Sequence, residues 1–212
     1  MNKNKGLVNL VVGFVKLTGL LPAIVFLKPR VVRQTRRLPA PCILVSNHKS
    51  LMDFVLYLYV FPLRTIRFLM AEVLFNKGKL FASFLYLLGG IKVERDAFDF
   101  DFVSHTIEAL DAGDTVGIFP EGRLPVNGKG WPFTVSTAYI SMHADAPIVP
   151  VYTDGNYGLF KRVGVVVGEP FTLADYRKEG LGEQEQLAHL TQVLEQKVFA
   201  LKDQLEKKDG DR

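Results

Sequence analysis

The chain has 212 residues, with 26 lysine and arginine residues against 22 aspartate and glutamate residues, so its net charge is +4. With 48% apolar and 23% charged residues it is too hydrophobic to be disordered, and its length suits one domain with a single core. Its one cysteine, Cys42, excludes an intramolecular disulfide framework and a cysteine-based zinc cluster.

The positive charge is concentrated near the N-terminus. The first 52 residues contain nine basic residues and no acidic residue, so the first carboxylate in the chain is that of Asp53. The rest of the chain has 17 basic and 22 acidic residues and a net charge of −5. This asymmetry indicates a basic segment that faces an anionic surface, and it argues against a protein that coats nucleic acid.

The first predicted element is an apolar segment over residues 6–27. No small-residue cleavage site follows it, which argues against a signal peptide. The length fits a transmembrane helix, yet a polar stripe recurs at helical spacing along the segment. The stripe consists of Lys5, Asn9, Gly13 and Lys16. We prefer a helix in the membrane interface, broken at Pro22, and we keep a spanning helix and a buried soluble helix as alternatives.

A group of arginines follows the apolar segment: Arg30, Arg33, Arg36 and Arg37. Near an anionic leaflet each such charge contributes about 1 kcal/mol to membrane binding. The alternative is that these arginines belong to a solvated linker. We therefore predict a membrane-associated helical anchor with a basic flank over residues 1–37. An α/β domain is predicted over residues 38–212.

Strands alternate with helices beyond residue 38, which predicts a single α/β domain with a mixed, mostly parallel sheet flanked by helices. The predicted strands are residues 42–46, 66–71, 91–93, 115–119, 148–152 and 163–167. The predicted helices are residues 50–60, 80–88, 98–112, 137–144 and 184–206. Ser50 and Asp53 have the spacing of a capping box at the start of the first of these helices.

The first candidate site directly follows the first of these strands, where α/β proteins commonly place functional loops. His48 lies in the turn, and Asp53 lies in the first turn of the next helix. At this spacing the carboxylate can accept the Nδ1 proton and leave Nε2 as the base. No serine or cysteine nucleophile is evident, which suggests that the substrate supplies the attacking hydroxyl. The alternative is a capping acid beside an ordinary loop histidine.

Two further stretches carry polar residues at strand ends. Residues 119–123 form a turn that presents Glu121 and Arg123 together, and arginine can bind a phosphate through two parallel hydrogen bonds. Residues 89–95 place Arg95 just past a short strand. For residues 119–123 the alternative is a surface ion pair in an ordinary turn. For residues 89–95 the alternative is an exposed arginine at a strand end.

Four motifs occur in order between Pro41 and Tyr152: Asn-His-x4-Asp, Gly-Gly-Ile-x-Val-x-Arg, Phe-Pro-Glu-Gly and Pro-Ile-Val-Pro-Val. By these motifs the sequence resembles the glycerolipid acyltransferase family, most closely its lysophosphatidic acid acyltransferase (1-acyl-sn-glycerol-3-phosphate acyltransferase) branch. Members have an α/β domain on the membrane, and some carry an N-terminal helical pair that dips into one leaflet. The resemblance implies a monotopic protein on the cytoplasmic face of the inner or plasma membrane.

The resemblance also implies an enzyme that moves a fatty acyl group from acyl-CoA or acyl-carrier protein to 1-acylglycerol 3-phosphate, giving phosphatidic acid. His48 is then the general base, and Asp53 orients it. The implied acceptor-binding residues are Asn47, Arg95, Glu121, Gly122 and Arg123. Apolar residues 80–88 are expected to meet the acyl chain. The implied partners are membrane lipid, the lyso-phospholipid acceptor and the acyl donor, with no metal, cofactor or nucleic acid.

The sequence departs from the family pattern in two places. The third motif usually reads Glu-Gly-Thr-Arg-Ser, whereas here Arg123 directly follows Gly122. Another acceptor, glycerol 3-phosphate or a lyso-amino-lipid, is therefore kept as an alternative, as is a non-catalytic lipid-binding protein. Where the family commonly has a lysine before the second motif this chain has Glu72, and Lys77 or Lys79 is the nearest substitute.

Overall fold

A computed structural model of the protein describes residues 5–19, 25–35, 38–94, 101–159 and 161–210. A seven-stranded sheet forms its centre, in the order β1-β7-β6-β2-β5-β3-β4. The strands are β1 (Arg30–Arg33), β2 (Cys42–Ser46), β3 (Ile66–Ala71), β4 (Ile91–Val93), β5 (Thr115–Ile118), β6 (Ile148–Thr153) and β7 (Gly164–Val167). Neighbouring strands are parallel except for β6 and β7. The predicted α/β domain with a mixed, mostly parallel sheet is confirmed.

Helices cover both faces of this sheet. They are α1 (Lys5–Thr18), α2 (Met52–Val60), α3 (Glu72–Phe75), α4 (Lys79–Leu87), α5 (Asp101–Asp111), α6 (Val135–His143), α7 (Glu183–Phe199) and α8 (Lys202–Gly210). Side chains alternate along a strand, so Cys42 and Leu44 of β2 pack with α2 and α4 on one face. Ile43 and Val45 pack with α5, α6 and α7 on the other face. Cys42 is fully buried.

The basic segment contributes an edge strand, β1, which the sequence pattern does not predict. Its residues pair in register with β7, from Arg30 opposite Gly164 to Arg33 opposite Val167. The Arg33 guanidinium donates a hydrogen bond to the carbonyl of Val60 and lies 5.0 Å from the centre of the Phe61 ring. Residues 30–33, which were predicted to belong to the membrane anchor, are therefore part of the sheet of the α/β domain. Arg36 and Arg37 lie outside the described residues.

The prediction of one long C-terminal helix is wrong, because the helix breaks at Ala200 and Leu201. The leucines of α7 belong to the core cluster that faces α5 and α6. Leu201 and Leu205 instead pack on Tyr152 and Val166 of the sheet. The N–H of Leu201 donates to the carbonyl of Val198, a tighter turn than the α-helix, and this turn redirects the last leucines.

Two lysines fix helix α1 on the domain. The Lys5 ammonium lies 2.6 Å from the carbonyl oxygen of Ala112 and 2.8 Å from the carboxylate of Asp114. The Lys16 ammonium donates to three carbonyl oxygens at the end of α2, those of Phe61, Pro62 and Arg64. Burial lowers the pKa of Lys16. Both charged residues of the predicted polar stripe therefore point towards the domain.

The opposite face of α1 is apolar and exposed. Val8 and Val12 are buried against the domain, whereas Leu10 and Leu17 are 70% and 75% exposed. Leu7 and Phe14 are exposed on the same outer side. Among the described residues, no helix is both long enough and apolar enough to cross a bilayer. The predicted break at Pro22 lies outside the described residues.

Candidate active site

A cavity of about 530 Å³ lies at the carboxyl ends of the parallel strands. Ile118 of β5, Ala71 of β3 and Val93 of β4 line it, together with His48 in the turn after β2. Open α/β sheets generally place their functional groups at this edge. Most of the other lining residues are apolar, among them Phe102 of α5.

The structure brings the predicted histidine and aspartate into direct contact. His48 Nδ1 lies 2.7 Å from Asp53 Oδ2, and the Asp53 side chain is 0% exposed. The same oxygen accepts the backbone N–H groups of Lys49 and Ser50, at 2.6 and 2.9 Å. Because Nδ1 is occupied, Nε2 is the histidine nitrogen that remains for a substrate in the cavity.

The turn before α2 differs from the predicted capping box. The helix begins at Met52, and Leu51 rather than Ser50 is its N-cap residue. Ser50 Oγ accepts the N–H of Met52 at 3.1 Å, while Asp53 accepts the N–H of Ser50. Asp53 therefore stabilises the turn and binds the histidine at the same time. Its two predicted roles, as the partner of His48 and as a capping acid, are compatible.

An aromatic stack holds the imidazole ring from one side. The rings of His48 and Phe119 are 4.3 Å apart and nearly parallel, with an interplanar angle of 16°. Phe119 stacks in turn on Phe68 at 5.7 Å and on Tyr57 at 6.0 Å. Phe119 is the first residue after β5. It is far from His48 in the sequence, so local spacing does not predict this contact.

Asn47, one of the predicted acceptor-binding residues, does not belong to the lining of the cavity. Asn47 is fully buried. Its amide donates to the carbonyl of Thr153 at 2.9 Å and accepts the N–H of Thr153 at 2.9 Å. The side chain thus extends the pairing of β2 with β6 past the end of β2 and fixes the peptide before His48.

Glu121, another predicted acceptor-binding residue, is also buried. Its Oε1 accepts the backbone N–H of His48 at 2.9 Å, and its Oε2 accepts that of Trp131 at 3.1 Å. Both oxygens are therefore engaged with backbone. Glu121 ties the histidine turn to the loop that follows β5.

Of the three other predicted acceptor-binding residues, two line the cavity and one lies outside the described residues. Gly122 and Arg123 line the cavity, and the positive φ of Gly122 (62°) is one that glycine adopts readily. The Arg123 guanidinium lies 5.5 Å from the centre of the Trp131 ring. Arg95 lies outside the described residues. Lys77, one of the two suggested lysine substitutes, also lines the cavity.

One polar contact of the site has no counterpart in the sequence motifs. The hydroxyl of Tyr157, in the loop after β6, donates a hydrogen bond to Asp53 Oδ1. The two residues are 104 positions apart, so local spacing carries no signal for this contact. Within the described ranges, no cluster of three histidine, cysteine or acidic side chains is arranged to hold a metal ion.

Comparison with known proteins finds acyltransferases in each case. Residues 29–154 match the Acyltransferase family model. The chain is 34% identical over 126 residues to human 1-acyl-sn-glycerol-3-phosphate acyltransferase beta, covering 57% of this chain but only 44% of the human protein. It is 27% identical over 170 residues to the 1-acyl-sn-glycerol-3-phosphate acyltransferase of Bacillus subtilis (strain 168), covering 77% of this chain and 82% of that protein.

A solved structure supports the fold. The crystal structure of the 1-acyl-sn-glycerophosphate (LPA) acyltransferase PlsC from Thermotoga maritima superposes with a TM-score of 0.65. The superposition covers 95% of this chain and 84% of that chain, at 24% sequence identity. At this identity the likeness concerns the arrangement of helices and strands.

We expect Asn47→Ala to lower the free energy of unfolding by about 2 kcal/mol or more, because it leaves the N–H and carbonyl of Thr153 buried without partners. Urea denaturation measures this change. Asn156→Ala is the control, since Asn156 is exposed in the loop after β6. Equal stability of the two variants would contradict the structural role of Asn47.

Proposed function

This chain belongs to the acyltransferase family, and on that basis we propose that it transfers a fatty acyl group from a thioester donor to the free hydroxyl of 1-acylglycerol 3-phosphate, giving phosphatidic acid. The observation that carries the proposal is the His48–Asp53 pair on the wall of a largely apolar cavity. The names of the human and Bacillus subtilis relatives support this acceptor.

The proposed reaction needs one proton acceptor and no covalent enzyme intermediate. His48 Nε2 takes the proton of the acceptor hydroxyl as its oxygen attacks the thioester carbonyl carbon. Asp53 stabilises the imidazolium that forms, as a buried carboxylate does beside other catalytic histidines. The tetrahedral intermediate collapses, the carbon–sulfur bond breaks, and the sulfur leaves with the proton from His48. The products are an ester and a free thiol.

The apolar part of the cavity is the proposed site for the acyl chain. It extends from His48 beyond β2 across β5 and β3 to Val93 of β4, three strand spacings or about 14 Å. Helix α4 adds Phe81, Phe84 and Leu85 to the wall. This lining supports the expectation that residues 80–88 meet the acyl chain. A cavity of this kind suits a flexible hydrocarbon chain because its walls offer little hydrogen bonding.

The acceptor phosphate is proposed to lie near Arg123 and Lys77, two cations that line the same cavity as His48. The Trp131 ring beside Arg123 restricts the arginine, which lowers the entropy lost when it binds an anion. The donor is proposed to be acyl-CoA or acyl-carrier protein.

Membrane association is the remaining part of the proposal. Helix α1 packs beside α4. Both helices have exposed apolar side chains: Leu10, Phe14, Leu17, Leu80, Phe81 and Phe84. Phe81 and Phe84 also line the cavity. Exposed apolar surface of this extent commonly marks a contact with protein or lipid. A monotopic protein on the cytoplasmic face of the inner or plasma membrane would take its acceptor from that leaflet through the cavity.

We expect His48→Ala to lose transfer activity by about 10²–10⁴-fold, because it removes the general base. The measurement is free thiol released from acyl-CoA when 1-acylglycerol 3-phosphate is added. His143→Ala, at the exposed end of α6, is the control and should retain activity. A folded His48→Ala protein with full activity would refute the proposed mechanism.

The early position of Arg123 favours a second candidate, the same transfer to glycerol 3-phosphate or to a lyso-lipid without phosphate. A panel of acceptors at one fixed donor separates the candidates. We expect the highest kcat/KM with 1-acylglycerol 3-phosphate, and we expect Arg123→Ala to raise the KM for that acceptor more than it lowers kcat. Preference for an uncharged or amino-lipid acceptor would favour the second candidate. If no acceptor raised thiol release above the rate without protein, the result would favour a non-catalytic lipid-binding protein.

We expect the double variant Leu10→Asp/Phe14→Asp to bind vesicles of mixed zwitterionic and anionic lipid at least about tenfold more weakly. Removing two apolar side chains from a lipid contact costs more than the roughly 1.4 kcal/mol that a tenfold change requires. Vesicle sedimentation measures the change. Leu181→Asp, at an exposed leucine before α7, is the control and should bind as the wild-type protein does. Equal binding by all three proteins would contradict this membrane contact.

A further inference from the structure

We propose that Tyr157 is a positioning residue of the site, because its hydroxyl holds the Asp53 carboxylate in the orientation that bonds His48. The inference rests on the proposed function, since it assigns a role within the same His48–Asp53 pair. It adds a third side chain, from the loop after β6, to a site that the sequence motifs confine to two.

The two oxygens of Asp53 have different partners. Oδ2 accepts the Nδ1 proton of His48 and the backbone N–H groups of Lys49 and Ser50. Oδ1 accepts the hydroxyl of Tyr157, and the described residues offer this oxygen no other hydrogen bond. Each oxygen of the buried carboxylate is therefore fixed by its own donors.

The bond at Oδ1 matters because of how an aspartate side chain rotates. The torsion that turns a carboxylate about its Cβ–Cγ bond has broad energy wells, so donors at one oxygen alone restrict it weakly. A second donor at the other oxygen fixes the plane of the group. With that plane fixed, Oδ2 stays in line with His48 Nδ1 while Nε2 exchanges its proton with the substrate.

Tyrosine suits this position chemically. Burial, and then the nearby charge of Asp53, raises the pKa of the Tyr157 hydroxyl far above its ordinary value, so the hydroxyl stays protonated and donates. The donor is neutral, unlike lysine or arginine. The negative charge of Asp53 therefore remains available to stabilise the imidazolium of His48.

The loop that carries Tyr157 is itself tied down. Asp154 Oδ1 accepts the N–H of Asn156 at 2.9 Å and that of Gly164 at 3.0 Å, which joins the loop to β7. The N–H of Tyr157 donates to the carbonyl of Gly155 at 2.8 Å.

A glycine allows this loop to touch the histidine turn. Gly155 has a positive φ of 67°, and a Cβ added there would lie 2.5 Å from the Cβ of Lys49. Only a residue without a side chain fits so close to the turn that carries His48. The loop therefore reaches Asp53 through direct contact with the turn, and Tyr157 is placed by backbone packing.

Tyr157→Phe tests the inference, because it removes one oxygen atom and keeps the ring. We expect kcat for acyl transfer to fall about tenfold while KM for donor and acceptor stays within about twofold, as for a misplaced catalytic group. The downfield proton resonance of the His48–Asp53 hydrogen bond should shift. Tyr152→Phe, at a buried tyrosine of β6 that packs against Phe199, is the matched control and should change neither quantity.

Wild-type kcat with an unshifted proton resonance in Tyr157→Phe would overturn the inference. A lower kcat accompanied by a lower unfolding midpoint and a higher KM would also overturn it, because that pattern indicates a general structural role. The proton resonance does not depend on turnover. If the wild-type protein transferred no acyl group, the proposed function would fail, and the resonance would still decide whether Tyr157 positions Asp53.

Discussion

The carboxylate of Asp53 is fully buried, and a buried anion is stable only when hydrogen-bond donors surround it. Its donors come from two segments: the turn after β2 supplies the imidazole of His48 and two backbone N–H groups, and the loop after β6 supplies the hydroxyl of Tyr157. Because an incomplete set of donors would leave the charge uncompensated, this carboxylate requires the turn and the loop to meet at the start of α2. The position of His48 follows from satisfying this charge.

The polar residues of the motifs divide into two groups by burial. His48, Gly122 and Arg123 line the cavity, where a substrate can reach them. Asn47 and Glu121 lie beneath them with their hydrogen-bonding atoms paired to backbone. A change in the second group would therefore alter the shape of the turn that carries His48.

Local patterns predict the elements whose signal is local. The apolar run of β2 is visible in the sequence because both faces of that strand are buried. The edge strand β1 is not, because only two valines lie between its terminal arginines, and charge at an edge is typical of solvent-facing strands. The break between α7 and α8 is hidden because leucines continue across it at helical spacing.

In the candidate site, too, only contacts between residues close in sequence can be predicted from the sequence. His48 and Asp53 are five residues apart, so helix and turn geometry suffices to bring them together. Whether a polar motif residue faces a substrate or the interior depends on partners that are far away in the chain. Asn47 pairs with Thr153, 106 positions along, and no local pattern carries that information. The burial of Asn47 and Glu121, and the role of Tyr157, therefore needed the three-dimensional arrangement.

The burial of Cys42 has a practical consequence for labelling. It is the one cysteine of the chain, it lies fully inside the sheet, and burial raises the pKa of its thiol, so little reactive thiolate forms. A cysteine introduced on the outer side of α1 would be the single accessible thiol of the molecule. A spin label or fluorophore attached there would report whether that helix contacts lipid, without any replacement of native cysteine.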